Sequence, residues 1–171
     1  AYAVRPVDFE TLDDPATLDG SATRIRGGAR IVIDRAVLEA DRLEEAVDRA
    51  LRDEGNAVKF SAVEADGAWT PVDYDSLAMA SVYYNIERAT LFFEDIGLDR
   101  DATGVIPTYY LIDFIVDLGE GQRGAASDNA AYSPLPGLDG FFVLGQRLLD
   151  ELPLGMNRGV MIHEYAHAVS A

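Results

Sequence analysis

The chain has 171 residues and two histidines, and both histidines fall in one short stretch, Val160-Met161-Ile162-His163-Glu164-Tyr165-Ala166-His167-Ala168-Val169. Positions i and i+4 of an α-helix lie on one face, roughly 6 Å apart along the axis. His163 and His167 can therefore offer imidazole nitrogens to one metal ion, and Glu164 sits where a general base would stand beside it. H-E-x-x-H on a helix is the pattern by which two histidines bind zinc while the glutamate takes a proton from water. Two histidines scattered at random in a chain of this length fall at i,i+4 about once in a hundred, and less often with Glu between them. The bland alternative is a helix carrying two unremarkable histidines.

That chemistry needs a rigid helix in a defined place. Apolar Val160, Met161, Ile162, Ala166 and Val169 surround the motif, and Asn157 is the expected N-cap. Upstream, Leu77 to Asp95 reads as a long helix, N-capped by Asp75 and stopped by Gly97; apolar residues cover more than one of its faces, so it is buried. Tyr83, Tyr84, Phe92 and Phe93 on it read as core. A shorter amphipathic helix spans Asp41 to Arg52, with Asp41 and Glu44 as a capping box and Gly55 as terminator.

Strands are expected at 29–33, 57–63 and 68–72, the last two joined through a turn at Asp66-Gly67. A further β run lies within 105–116, where Asp113 interrupts the apolar pattern and faces solvent or a turn. Gly27-Gly28 reads as a turn, since no phosphate-loop pattern surrounds it. A Gly-rich loop covers 117–128, and Asn129 to Pro134 pairs as a hairpin with Phe141 to Leu144. Residues 1–22 read as an extended polar leader lying on the surface. No repeat or linker divides the chain, so 1–171 reads as one unit.

Fourteen basic against thirty acidic residues give a net charge of −16. Such a surface argues against nucleic acid or an anionic membrane as partner, because both attract basic patches. Carboxylate clusters can also hold calcium. With no cysteine, neither a disulfide nor a thiolate zinc site can form. No apolar run approaches the roughly 20 residues of a membrane-spanning helix.

The order of a long aromatic helix, a strand, an Asn-Ala-aromatic segment, a hairpin returning through Gly140-Phe141-Phe142-Val143-Leu144-Gly145 and then an H-E-x-x-H helix resembles the N-terminal half of the catalytic domain of thermolysin-like and fungalysin-like zinc metallopeptidases, the gluzincins. Val82-Tyr83-Tyr84-Asn85 looks like that family's Tyr-Tyr-bearing helix. The interval from Asn129-Ala130 to His163 is similar to the family's interval from its Asn-Ala pair to the zinc helix. The resemblance covers roughly residues 75–171.

It implies an α+β, zincin-like fold: a twisted, mostly antiparallel sheet with a long buried helix, an edge strand bordering a cleft, and the zinc helix as floor. It implies a zinc endopeptidase with one catalytic zinc ion on His163 and His167, Glu164 as general base, and Asn129 and the Ala130 backbone pairing with an extended peptide. A secreted, extracellular or periplasmic location is also implied. The family's third zinc ligand, a glutamate, and its oxyanion-stabilising histidine lie downstream of the motif, beyond Ala171. The expectation is therefore that a second, helical subdomain or another chain completes the site. The competing reading is a catalytically inactive zincin-like module that binds a partner.

Overall fold

The computed structural model describes residues 4–40, 42–54, 57–99, 104–119, 121, 123–126, 129–134, 139–145 and 154–170. The chain forms strands β1 (Leu12–Asp14), β2 (Asp19–Gly20) and β3 (Thr23–Asp34), helices α1 (Arg35–Glu39) and α2 (Leu43–Glu54), the hairpin β4 (Ala62–Ala65) and β5 (Ala68–Pro71), and helix α3 (Tyr74–Asp95). There follow β6 (Ile106–Asp117), β7 (Arg123–Ala126), β8 (Ala130–Ser133), β9 (Gly140–Leu144), a 3-10 turn at Leu154–Met156, and helix α4 (Arg158–Ser170). The α+β class holds.

The main sheet has the order β1-β2-β3-β6-β9-β8, with β7 on β6 as a seventh strand. It is mixed rather than mostly antiparallel, because its central pairs, β3 with β6 and β6 with β9, are parallel. Parallel neighbours need a long crossover, and the stretch holding α1, α2, the β4–β5 hairpin and α3 provides the one from β3 to β6. One edge of β6 is shared end to end: β9 pairs with it from Thr108 to Ile112, and β7 pairs antiparallel from Phe114 to Asp117. The expected loop at 117–128 thus contains a strand. The edge strand β8 pairs antiparallel with β9, as the hairpin reading required.

A kink divides the sheet. Gly28 and Leu111 lie between the paired positions Gly27↔Tyr110 and Ala29↔Ile112, and both have positive φ, 72° and 59°. A regular strand keeps residues i and i+2 on one face. Here Ile25 and Tyr110 pack with α3, whereas Ala29, Ile31, Ile33 and Ile112 pack with Val47 and Leu51 of α2. The kink has turned each strand over, giving one sheet two cores on two faces. Gly27-Gly28 is therefore not a turn but a crossing point. Val58 N donates to Gly27 O at 3.0 Å. A Cβ on Gly27 would stand 2.0 Å from the Val58 carbonyl oxygen. That crossing also explains why the strand expected from residue 57 begins only at Ala62. The Asp66-Gly67 turn forms as expected, with φ of 53° and 76°.

Asp73, not Asp75, caps α3. Its carboxylate accepts from Ser76 N at 2.7 Å, and the helix starts a turn earlier than its apolar run suggests. Asp75 instead accepts from the buried Tyr110 phenol at 3.0 Å. Burial, together with this charged neighbour, pushes the Tyr110 pKa well above its usual value. Tyr83 is fully buried as expected, whereas Phe92 is largely exposed. Asp113 faces solvent, 3.6 Å from Arg30. The proposed cap and terminator of α2, Asp41 and Gly55, lie outside the described residues.

Residues 4–20 are more than a surface leader. Leu18 is buried in the α3 core, and Thr11 is buried beside it. The segment is held by Glu87 of α3, whose Oε2 accepts from Glu10 N at 2.8 Å, Thr11 N at 2.7 Å and Thr11 Oγ1 at 2.7 Å. No described helix is long and apolar enough to cross a membrane.

Candidate functional site

Helix α4 starts where its sequence says it should. Asn157 Oδ1 accepts from Gly159 N at 3.0 Å, and its carbonyl accepts from Met161 N at 3.2 Å. These are the bonds of an N-cap, which satisfy donors that the first helical turn leaves open. A second anchor comes from α3. Asn85, buried in an otherwise apolar helix face, donates from Nδ2 to Gly155 O at 3.0 Å and so fixes the turn that feeds α4. The only sign of it in the sequence is an amide where the pattern expects an apolar residue.

The helix has two faces. Met161 and Tyr165, four residues apart, are buried at 0% and 3% exposure. His163 and His167, also four apart, are exposed, with ring centroids 4.7 Å apart and planes nearly perpendicular. Their Nε2 atoms converge to 3.1 Å. Two nitrogens bound to one tetrahedral zinc at about 2.0–2.1 Å would be roughly 3.3 Å apart. The pair therefore fits a shared zinc ion with little movement. Among the described residues, no group of three His, Cys, Asp or Glu side chains is placed to hold a metal ion. A third donor is therefore not assigned, and neither is a calcium site.

Glu164 is buried at 8% exposure, and its Oε2 accepts from Tyr132 N at 2.9 Å. This bond joins the motif to the sheet edge. Tyr132 pairs with Phe141 across β8 and β9, yet its N–H points away from β9 toward α4. Backbone groups alternate sides along an antiparallel ladder, so those of Ala130, two residues earlier, also point outward. Ala130 is buried and opens β8, and Asn129 is exposed just ahead of it. The structure thus brings Ala130, Tyr132 and Glu164 to one border of the sheet, with His163 one residue before Glu164 on α4 and His167 three residues after it.

The Tyr132 phenol lies 3.4 Å from Asp139 Oδ1. Desolvation, with the Asp139 charge and hydrogen bond behind it, raises the phenol's pKa, so it stays protonated. Tyr132 was not legible as a site residue, because its contribution to Glu164 is a backbone N–H that any residue type carries.

Comparisons of the chain with protein-family models, with curated proteins and with solved structures return no match.

Proposed function

We propose that this chain carries the zinc helix and the substrate-binding edge strand of a zinc-dependent endopeptidase. The observation that supports the reading most is the convergence of the His163 and His167 Nε2 atoms to 3.1 Å, next to a glutamate already oriented by the sheet edge. His163 and His167 would hold the ion, together with a third donor from elsewhere in the protein or from a partner chain. When bound, zinc supplies Lewis acidity toward the peptide carbonyl and lowers the pKa of water.

The chain's own residues do the rest. Glu164 is held through Oε2, which leaves Oε1 to take a proton from water and pass it to the departing amine nitrogen. An extended peptide lies along the outer edge of β8. It pairs with the outward backbone groups of Ala130, and the Asn129 amide contributes a further hydrogen bond. Tyr132 N–H is already taken by Glu164, so it is not offered to the peptide.

Metal analysis of the intact protein tests this directly. About one zinc per molecule is expected, lost in His163→Ala and in His167→Ala. Glu164→Gln should keep the zinc and slow hydrolysis by about 10²–10⁴-fold. Undiminished hydrolysis in Glu164→Gln would remove the glutamate from the base role. Zinc binding without any hydrolysis by the wild-type protein would favour the binding-module reading instead.

A further inference from the structure

We propose that Tyr165 is a positioning residue: its ring, stacked on both Phe93 and Phe141, sets the rotation of α4 and so holds Glu164 against the edge strand. Tyr165 occupies one of the two chemically unassigned positions inside the motif. Its ring stacks on Phe93 of α3, with centroids 5.5 Å apart and planes 28° apart. It also stacks on Phe141 of β9, at 5.9 Å and 23°. Phe141 in turn touches the ring of Tyr132, its cross-strand neighbour, at 5.5 Å. The contacts close a loop. Tyr132 N–H is bound by Glu164, Glu164 is covalently joined to Tyr165, and Tyr165 reaches Tyr132 again through Phe141.

A ring stacked on two rings from different elements, α3 and β9, resists the roll of its helix, because rolling disturbs both stacks. The sensitivity is large. Rolling an α-helix by about 20° moves a side-chain atom about 6 Å from its axis by about 2 Å. A hydrogen bond of 2.9 Å does not survive such a displacement. Met161 shares the buried face but is flexible and is not ring-stacked, so it fills space without fixing the angle.

The geometric claim stands on its own; only its catalytic consequence rests on the endopeptidase reading. The first readout is hydrogen–deuterium exchange of the Tyr132 amide in the metal-free full chain. In Tyr165→Leu this amide should exchange at least about tenfold faster than in wild type, while the amides of β3 and β6 keep their protection. Tyr165→Phe, which keeps the stack, should behave as wild type. If Tyr165→Leu lowers protection everywhere, Phe93→Leu is the deciding variant, since it removes one of the two stacks without changing any residue of α4. It should loosen the Tyr132 amide selectively, to a smaller degree.

Wild-type protection of that amide in a folded Tyr165→Leu, or in Phe93→Leu where that variant decides, overturns the proposal. In the zinc-loaded protein, Tyr165→Leu should lower kcat at least about tenfold and leave KM within about twofold, because the backbone groups of Ala130 that pair with the peptide are unchanged. A protected wild-type Tyr132 amide in a protein that hydrolyses nothing would sink the endopeptidase reading and leave the positioning role intact.

Discussion

The half of the sheet that packs on α3 and α4 and the half that packs on α2 share strands β3 and β6, yet they are built differently. The α3 half threads polar groups through its core: Glu87 holding Thr11, Asn85 holding Gly155, Thr23 bonded to Thr108, and Glu164 holding Tyr132. Among the described residues, the core of the α2 half is built from Ala29, Ile31, Ile33, Val47, Leu51 and Ile112. Its visible polar order lies on the exposed rim, where Glu45 bonds both Arg42 and Arg49 at 2.7 Å. Hydrophobic burial is non-directional and mainly sets stability. Buried hydrogen bonds are directional and expensive to leave unmade, so they fix positions. The half that carries them is the half that contains His163, Glu164 and His167.

The largest expected effect is at the crossing point between the halves. Gly27→Ala places a methyl 2.0 Å from the Val58 carbonyl oxygen, a backbone atom that must shift to admit it. A loss of about 3 kcal/mol is expected, read as a fall in Tm, with both cores loosened together. Near-normal stability would mean that the two halves are not joined through this contact.

Next comes Glu87→Ala, which removes the acceptor of the Glu10 and Thr11 N–H groups and one partner of the Thr11 hydroxyl. About 3 kcal/mol should be lost in urea unfolding, with selective loss of amide protection at residues 10 and 11. Leu51→Ala, in the apolar half, should cost about 2–3 kcal/mol and leave zinc content and hydrolysis unchanged. Altered zinc binding in that variant would break the division of labour argued above.

The smallest effect is expected from Glu45→Gln on the rim. The hydrogen bond from Arg42, with the Arg42 and Arg49 charges behind it, lowers the Glu45 carboxyl from its ordinary value to about 2. A depressed folded-state pKa stabilises above the unfolded value near 4.5 and is lost as pH falls from there to about 2. The pair is fully solvated, so the Tm change should be measurable only at low salt and should disappear in 1 M NaCl, roughly a 3 Å screening length. A salt-resistant effect would show that the rim contributes more than solvent-screened pairing.

Local chemistry was legible in the sequence wherever a residue's own type decides the outcome. The spacing of His163 and His167 fixed their convergence, because helix geometry alone puts i and i+4 on one face. Asn157 announced the start of α4, Asp66-Gly67 its hairpin turn, and the two short runs at 129–134 and 141–144 the antiparallel pair at the sheet edge. Where two equivalent residues lie close together, residue type does not choose between them: Asp75 reads as the cap of α3, and Asp73 is the residue that caps it.

The tertiary structure alone decided whatever depends on a distant partner. Strand direction in the sheet followed from which segments crossed over, so a pattern of apolar residues did not reveal the parallel centre. The paired kink at Gly28 and Leu111 is invisible locally, since it takes two strands far apart in the chain to meet at one level. The bond from Tyr132 N–H to Glu164 spans 32 positions and uses a group common to every residue except proline. From sequence, H-E-x-x-H was a metal pair and a nearby carboxylate. Only folding determined that the carboxylate is tied to the sheet edge, because long-range packing and not residue type set the rotation of its helix.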